Sequence, residues 1–394
     1  MPTFDEAIAM IERAITPLGP ETVALDDAAG RWLAAPLAAR YDAPRRDCSI
    51  MDGYAVSAAT IATGEWLPCV GEVRAGELPS VELKPSEAMR IFTGAFLPAG
   101  ADCVIMQEYA EIEGNRVRFR EGFGPSSHVR TAGSDFRKGD VLVEAGRRLT
   151  PQAMVAAAAA DHSECEVSRR PRVAIIATGD ELVPPGQAAA GEATQADSAS
   201  FGVAALARAA GAQVVSVVRG GDEIEGLTRF AGDALAQADC VVVTGGASVG
   251  AYDLARPMFA KHGLEEIFSR LPIRPGRPVW FGMARGCCVL GLPGNPTSAM
   301  VTARLFLKPL LACLQGGTAG AELQFLPMCL GSELAATGSR ETFVRARATS
   351  EGLVPLTNQL SGAQSPLAQA DWLIRCQAEA GARLRGELVY ALPF

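Results

Sequence analysis

The sequence predicts a multidomain protein of the α/β plus β class, and three observations predict it. Between residues 172 and 314, strand-type and helix-type patterns alternate, which is how a chain wraps helices around a largely parallel sheet. From residue 55 to about 147, and again beyond Gln324, only short apolar runs separated by Gly and Pro occur, the pattern of small β-barrels or sandwiches. The 394 residues suffice for roughly two to four domains.

Composition narrows the function. A hydrophobic content of 48% with 20% charged residues describes an ordinary globular chain. The net charge of −8 argues against a general nucleic-acid binder, which would carry a basic face. Ten cysteines form no CxxC pair, and the three histidines (His128, His162, His262) stand in unrelated contexts, so a His/Cys zinc site is not expected. Any metal should be a hard cation held by carboxylates. The N-terminus carries acidic residues early and no apolar signal-type core, and no unbroken apolar run reaches about 18 residues, so no membrane span is expected and the expected compartment is the cytoplasm.

Taken in order, Thr3 and Glu6 have capping-box spacing, and Phe4, Ala7, Ile8, Ile11 and Ile15 recur at helical spacing, so a helix is expected over 3–16. A second helix is expected over 28–39. Residues 41–54 (YDAPRRDCSIMDGY) form a polar, turn-rich loop of the kind that carries binding groups, with Asp47 and Asp52 five apart. Strands are expected at 67–73, 88–91, 103–106, 116–119 and 141–143, and Arg130 and Asp135 are candidate loop-site residues between them. A helix follows over 149–160, capped by Thr150 with Pro151 at its first position.

The α/β region should place strands at 173–178, 213–218, 240–243, 279–282 and 288–291, and helices at 201–210, 223–237, 254–262 and 297–314. Ligands of such sheets bind beyond the C-terminal strand ends. Each of those ends carries a polar or glycine-rich group: Thr178-Gly179-Asp180-Glu181, then Gly220-Gly221-Asp222, then the Gly245–Asp253 turn, then Pro293-Gly294-Asn295-Pro296-Thr297-Ser298. In the third of these, Gly245, Gly246, Ser248 and Gly250 separate a strand from a helix start. That is either an anion site, where glycines admit a ligand to free N–H groups, or a plain tight turn. Asp253 just beyond it favours the site. Asp180, Glu181, Asp222 and Asp253 should converge, and because like charges repel, Mg²⁺ is expected among them. Residues 269–278 (SRLPIRPGRP) hold Arg270, Arg274 and Arg277 on a proline-stiffened segment, either a basic surface loop or a clamp for an oxyanion. Residues 316–320 read as a linker. Strands at 326–330, 342–348, 373–376 and 387–392 make a small β domain, whose site-like features are Arg345 and the loop 358–365.

Taken together these motifs resemble the MoeA/gephyrin E-domain family, the molybdopterin molybdenumtransferases. Met51-Asp52-Gly53-Tyr54-Ala55 is similar to its MDGYA signature and Phe92-Thr93-Gly94-Ala95 to its TGA motif. Thr178-Gly179-Asp180-Glu181-Leu182, the Gly245–Gly250 turn and Gly291-Leu292-Pro293-Gly294-Asn295-Pro296 resemble its pterin-nucleotide domain. The resemblance covers essentially the whole chain in order. It implies a split N-terminal domain (1–43 with 148–170), an inserted β domain (44–147), a three-layer, MogA-like molybdopterin-binding domain (171–315) and a small C-terminal β-barrel-like domain (320–394). It implies a homodimer whose cleft takes the β insert from one subunit and the α/β and C-terminal domains from the other. The implied reaction is Mg²⁺-dependent insertion of molybdate into adenylylated molybdopterin, releasing AMP. A MogA-type adenylyltransferase and acceptor molybdoenzymes are the implied partners. Asp52, Thr93, Asp135, Glu181, Asp222 and Asp253 would be catalytic, with Glu181, Asp222 and Asp253 on the metal. Arg130, Thr178, Gly179, Asp180, Gly245, Gly246, Ser248, Gly250, Pro293, Asn295 and Pro296 would bind the pterin nucleotide. Arg270, Arg274, Arg277, Ser298, Arg345 and Ser361 would form the molybdate pocket. The chain departs from the family pattern in three places: arginine replaces lysine at 270, 274 and 277, Ala199 follows Asp197-Ser198 in place of asparagine, and Leu360 precedes Ser361 in place of glycine. A nucleotide pyrophosphatase on the same α/β domain, or a non-catalytic pterin carrier or scaffold, are the alternatives.

Overall fold

The computed structural model describes residues 1–61, 64–124, 126–245 and 254–394. Its centre is a six-stranded sheet whose strands are numbered here β1 (Arg172–Thr178), β2 (Gln213–Gly220), β3 (Cys240–Thr244), β4 (Glu265–Ser269), β5 (Trp280–Ala284) and β6 (Cys287–Leu292), in the order β2-β1-β3-β6-β5-β4. The first four in that order run parallel, and β5 and β4 close the edge as antiparallel strands. Side chains alternate across the sheet, as the two-residue strand period requires. Val173 and Ile175 face one core with Val242 and Leu290, while Ala174 and Ile176 face the other with Val241, Val243 and Val289. Helices cover both faces, so the interior strands read as unbroken apolar runs.

The principal helices are α1 (Phe4–Ala14), α2 (Pro151–Ala159), α3 (Ala199–Ala209), α4 (Ile224–Gln237), α5 (Pro257–Ala260) and α6 (Pro296–Thr302), the last continuing through a π-helical turn to Leu314. α4 packs on one face of the sheet, while α3 and the 296–314 run pack on the other. That run is long and apolar enough by composition to cross a membrane, but 89% of it is buried in the core. α1 starts at a complete capping box, with the Glu6 N–H donating to Thr3 Oγ1 and the Thr3 N–H to Glu6 Oε2. Its Phe4 lies edge-on to Phe306 and Phe343 with ring centroids 5.6 and 5.1 Å away. Arg375 covers Phe4 and pairs with Asp5 and Glu341, so α1 ties the α/β core to the C-terminal sheet.

The β insert forms a second six-stranded sheet, ordered Cys103–Met106, Gly53–Val56, Ala88–Ile91, Leu67–Val73, Arg116–Phe119, Ala110–Glu113. The C-terminal sheet runs Ile273–Arg274, Glu341–Thr349, Trp372–Cys376, Leu388–Pro393, Leu326–Cys329, with Gly352–Pro355 beside the long strand. Its first strand belongs to the arginine-rich segment, which leaves the α/β unit to pair in parallel with Glu341–Thr349.

Several sequence expectations are corrected. No helix forms over 28–39. Gly30 adopts a left-handed φ of 74°, Pro36 interrupts the segment, and its N–H groups bond across the chain, from Leu33 to the Arg147 carbonyl and from Ala34 to that of Glu166. Leu37–Ala38 is a strand paired with Val141–Val143. Over 254–262 only α5 is helical, because Pro257 has no N–H to extend it backwards and Gly263, at φ 75°, ends the run. Residues 316–320 are no free linker: Ala319–Glu322 is a short helix capped by Thr318, the Ala319 N–H donates to Glu12, and Gly317 lies where a side chain would strike the Trp32 ring. β4 was missed because Glu265 and Glu266 hide an edge strand.

Trp280 and Gly291 are direct partners across β5 and β6, and the fully buried indole occupies the space a side chain at 291 would need. Gly291→Ala should therefore destabilise the fold by about 1–3 kcal/mol, read as a lower denaturant midpoint. An unchanged midpoint would contradict this packing.

Candidate functional site

Strand register builds the site. Thr178 pairs with Gly220, Ala177 with Thr244, and Thr244 with Leu292, so β2, β1, β3 and β6 end side by side. The order reverses between β1 and β3, which opens a crevice above the strand ends. A cleft of about 980 Å³ lies there, lined by Thr178, Gly179, Glu181, Asp222, Gly245 and Asn295 among others. Gly245 has a φ of 96°, and a side chain on it would meet Thr178 Oγ1 at 2.7 Å. Gly294 lies so close that a methyl group on it would sit 3.2 Å from the Gly245 Cα. Glycine is thus needed where the β1, β3 and β6 ends converge. Thr178 Oγ1 is buried with no hydrogen-bond partner among the described residues. Pro293 ends the last of these strands, and Asn295 and Pro296 begin α6 at the cleft floor.

The acidic wall is crowded. The Asp222 N–H donates to Asp180 Oδ1 at 2.9 Å, and a side chain at Gly221 would meet that same oxygen. Burial, then the charges of Asp180 and Glu181, push the Asp222 carboxyl above the ordinary aspartate range. Behind it, buried Asp197 pairs with Arg219 at 2.9 Å and accepts from the Ser200 N–H at the start of α3. Gly246, Ser248, Gly250 and Asp253 lie outside the described residues. Among the described residues no group of three His, Cys, Asp or Glu side chains is arranged to hold a metal ion.

The opposite side comes from the C-terminal unit's loop, whose Gly362 and Gln364 line the cleft, with Arg345 in the sheet behind that loop rather than on the cleft lining. Arg345 is 1% exposed; its Nη2 donates to the carbonyls of Asn358 and Leu360 at 3.2 Å, while Nη1 is buried without a partner among the described residues. Burial lowers its pKa. The Gln359 amide is saturated, accepting from the Arg345 N–H and donating to the carbonyls of Arg345 and Leu356. The loop then meets α6: Asn295 Nδ2 donates to Ser361 Oγ at 3.3 Å, and Thr297 Oγ1 to the Ala363 carbonyl at 2.9 Å. Ser198 Oγ donates to Gln364 Oε1 at 2.7 Å. Ser298 is buried one helical turn before Thr302, against which Gly276 of the arginine-rich segment packs. Arg274 lines a separate cavity of about 590 Å³ with Gln359. Arg270 and Arg277 are exposed and line neither cavity among the described residues.

The β insert carries its own constellation. Asp52 Oδ1 accepts from the Thr93 N–H and hydroxyl, each at 2.8 Å, and these bonds hold its carboxyl below the usual range. Gly53 lies against the Ile105 carbonyl with no room for a side chain, so the glycine after Asp52 serves strand pairing. Arg130 and Asp135 form an exposed ion pair at 3.0 Å. None of Asp52, Thr93, Arg130 and Asp135 lines the cleft of its own chain.

Comparisons with known proteins agree with this architecture. Residues 2–160 match the family described as MoeA N-terminal region (domain I and II), and residues 174–312 match a probable molybdopterin binding domain. A molybdopterin molybdenumtransferase of a Nostoc species is 36% identical over 338 residues, covering 82% of this chain and 76% of its own. That of Synechococcus elongatus is 34% identical over 94% of both chains. The chain belongs to the MoeA family. A crystal structure of the molybdopterin biosynthesis MoeA protein of Pyrococcus horikoshii OT3 superimposes over 100% of both chains with a TM-score of 0.85 at 24% identity, a likeness of fold.

Within this MoeA fold, the sequence marks the loop 358–365 as site-like but assigns a role in it to Ser361 alone, not to Gln359 or Gln364. Neither sits in a charged or glycine-rich motif, and only the docking of the C-terminal loop against α6 reveals them. The raised Asp222 carboxyl has a thermodynamic consequence. A carboxyl whose folded pKa exceeds its unfolded value binds its proton more tightly when folded, so stability is lost as pH rises between the two values. Asp222→Asn should therefore raise the melting temperature at pH 7 and leave it nearly unchanged at pH 3; equal melting temperatures at pH 7 would contradict the charge crowding.

Proposed function

We propose that this chain inserts molybdate into adenylylated molybdopterin, releasing AMP and forming Mo-molybdopterin. The observation that carries the reading is one cleft with two unlike walls, carboxylates on the strand ends and a buried arginine beneath the facing loop. Molybdate is a tetrahedral dianion and a substrate here. Arg345, with a buried Nη1 that has no partner among the described residues, and the hydroxyls of Ser361 and Ser298 are donors suited to such an oxyanion. Arg274, which lines a separate cavity with Gln359, and the exposed Arg270 and Arg277 add positive charge to the arginine-rich segment outside the cleft. The glycine-lined strand ends admit the pterin nucleotide close to backbone N–H groups, and Thr178, Asn295 and the start of α6 orient it.

Mg²⁺ fits the donor set: Glu181 and Asp222, beside Asp180, are hard oxygen ligands whose mutual repulsion a divalent cation would relieve, and Asp253 follows the neighbouring β3 end in sequence. When bound there, Mg²⁺ supplies positive charge that polarises the phosphate oxygens of the bond to be broken. The protein's own groups do the rest. They hold the pyrophosphate at the strand ends, keep molybdate on the opposite wall, and exclude water between them by docking the C-terminal loop. A homodimer gives the β insert its place, with Asp52, Thr93, Arg130 and Asp135 closing the cleft of the other subunit. The working compartment is the cytoplasm, where a MogA-type adenylyltransferase would supply the nucleotide and acceptor molybdoenzymes would take the product.

Purified protein with adenylylated molybdopterin and Mg²⁺ should release AMP only when molybdate is added. Asp222→Asn should slow that release by about 10²-fold or more, as expected for loss of a group at the reacting phosphate. Release indifferent to molybdate would instead indicate a pyrophosphatase, and binding without release a carrier.

A further inference from the structure

We infer that Gln364 is a substrate-binding residue, presenting its amide N–H donors to an acceptor atom of the pterin nucleotide. The inference rests on the reading of the cleft given above. Gln364 belongs to the C-terminal unit, yet it lines the cleft together with Thr178, Asp222 and Asn295. Its Oε1 is engaged by the Ser198 hydroxyl at 2.7 Å. An amide with its oxygen committed must turn its nitrogen the other way, and Nε2 has no protein partner among the described residues. On the neighbouring wall Ala196, Ala199 and Gly362 carry no side-chain donor, Asp197 is spent on Arg219 and the Ser200 N–H, and Thr194 Oγ1 donates to the Ala188 and Gly191 carbonyls. That leaves Gln195 and Gln364 as the amides on this side, and of the two only Gln364 has its oxygen held by a described side chain.

The backbone before Gln364 is already fixed. Thr297 holds the Ala363 carbonyl, Asn295 holds Ser361, and Gln359 is saturated by the long strand. A donor placed in advance loses little freedom on binding. A neutral amide facing an acidic wall suits a ring nitrogen, a carbonyl or a phosphate oxygen, all of which a pterin nucleotide offers.

The test uses the full chain and adenylylated molybdopterin without molybdate, with Kd from titration calorimetry. Gln364→Met keeps the length and removes the donors. Gln364→Glu keeps an acceptor for Ser198 and also removes them. Both should weaken binding about five- to tenfold, raise KM and leave kcat and the melting temperature near wild type. Ser198→Ala, which only frees the amide, should weaken binding about threefold and add nothing to Gln364→Met. Wild-type Kd in both Gln364 variants overturns the inference, as does a lowered melting temperature with Kd unchanged. A wild-type protein that does not bind the pterin nucleotide overturns the reading of the cleft, and this assignment falls with it.

Discussion

Four parallel strands ending on one line set the terms for everything above them. Their register places the β1, β2, β3 and β6 ends next to one another, and each end is followed by a segment carrying polar groups or glycine. Glycine at 245 and 294 lets the ends converge, and the space above them becomes a cleft rather than a packed seam. The cores on both faces make that register rigid, since a one-residue slip would turn Val173 and Ile175 onto the opposite face.

The same geometry concentrates charge that the folded state does not favour. Asp222 stands beside Asp180 and Glu181, and among the described residues a backbone N–H to Asp180 is the one hydrogen bond between them. Stability given up at one spot is characteristic of sites shaped by chemistry rather than by packing. The compensation lies in the joints. Arg375 on Phe4, Asp5 and Glu341, and the hydrogen bonds from Asn295, Thr297 and Ser198 to the C-terminal loop, hold the second wall at a set distance from the first.

Much of this was legible in the sequence where period and punctuation agree. Capping at Thr3 and Thr150, the apolar strands β1 and β3, and the glycine-bearing strand ends follow from local rules. Legibility failed where tertiary pairing overrode local pattern. Residues 28–39 look helical until Gly30 and Pro36 hand their neighbours' N–H groups to other strands, and the 316–320 glycines look like a linker until Trp32 fills the space over Gly317. For the site, the carboxylates and Arg345 were visible as charged residues at suggestive places. The loop 358–365 was visible too, but not the separate parts of Gln359 and Gln364 within it, because an amide gains its meaning from the partner that orients it.

The central claim is that molybdate ends bonded to the dithiolene sulfurs as AMP leaves. Molybdenum K-edge absorption after turnover tests it directly. The account predicts sulfur scatterers in the first shell of molybdenum, growing in proportion to the AMP released. An oxygen-only shell while AMP accumulates would contradict it.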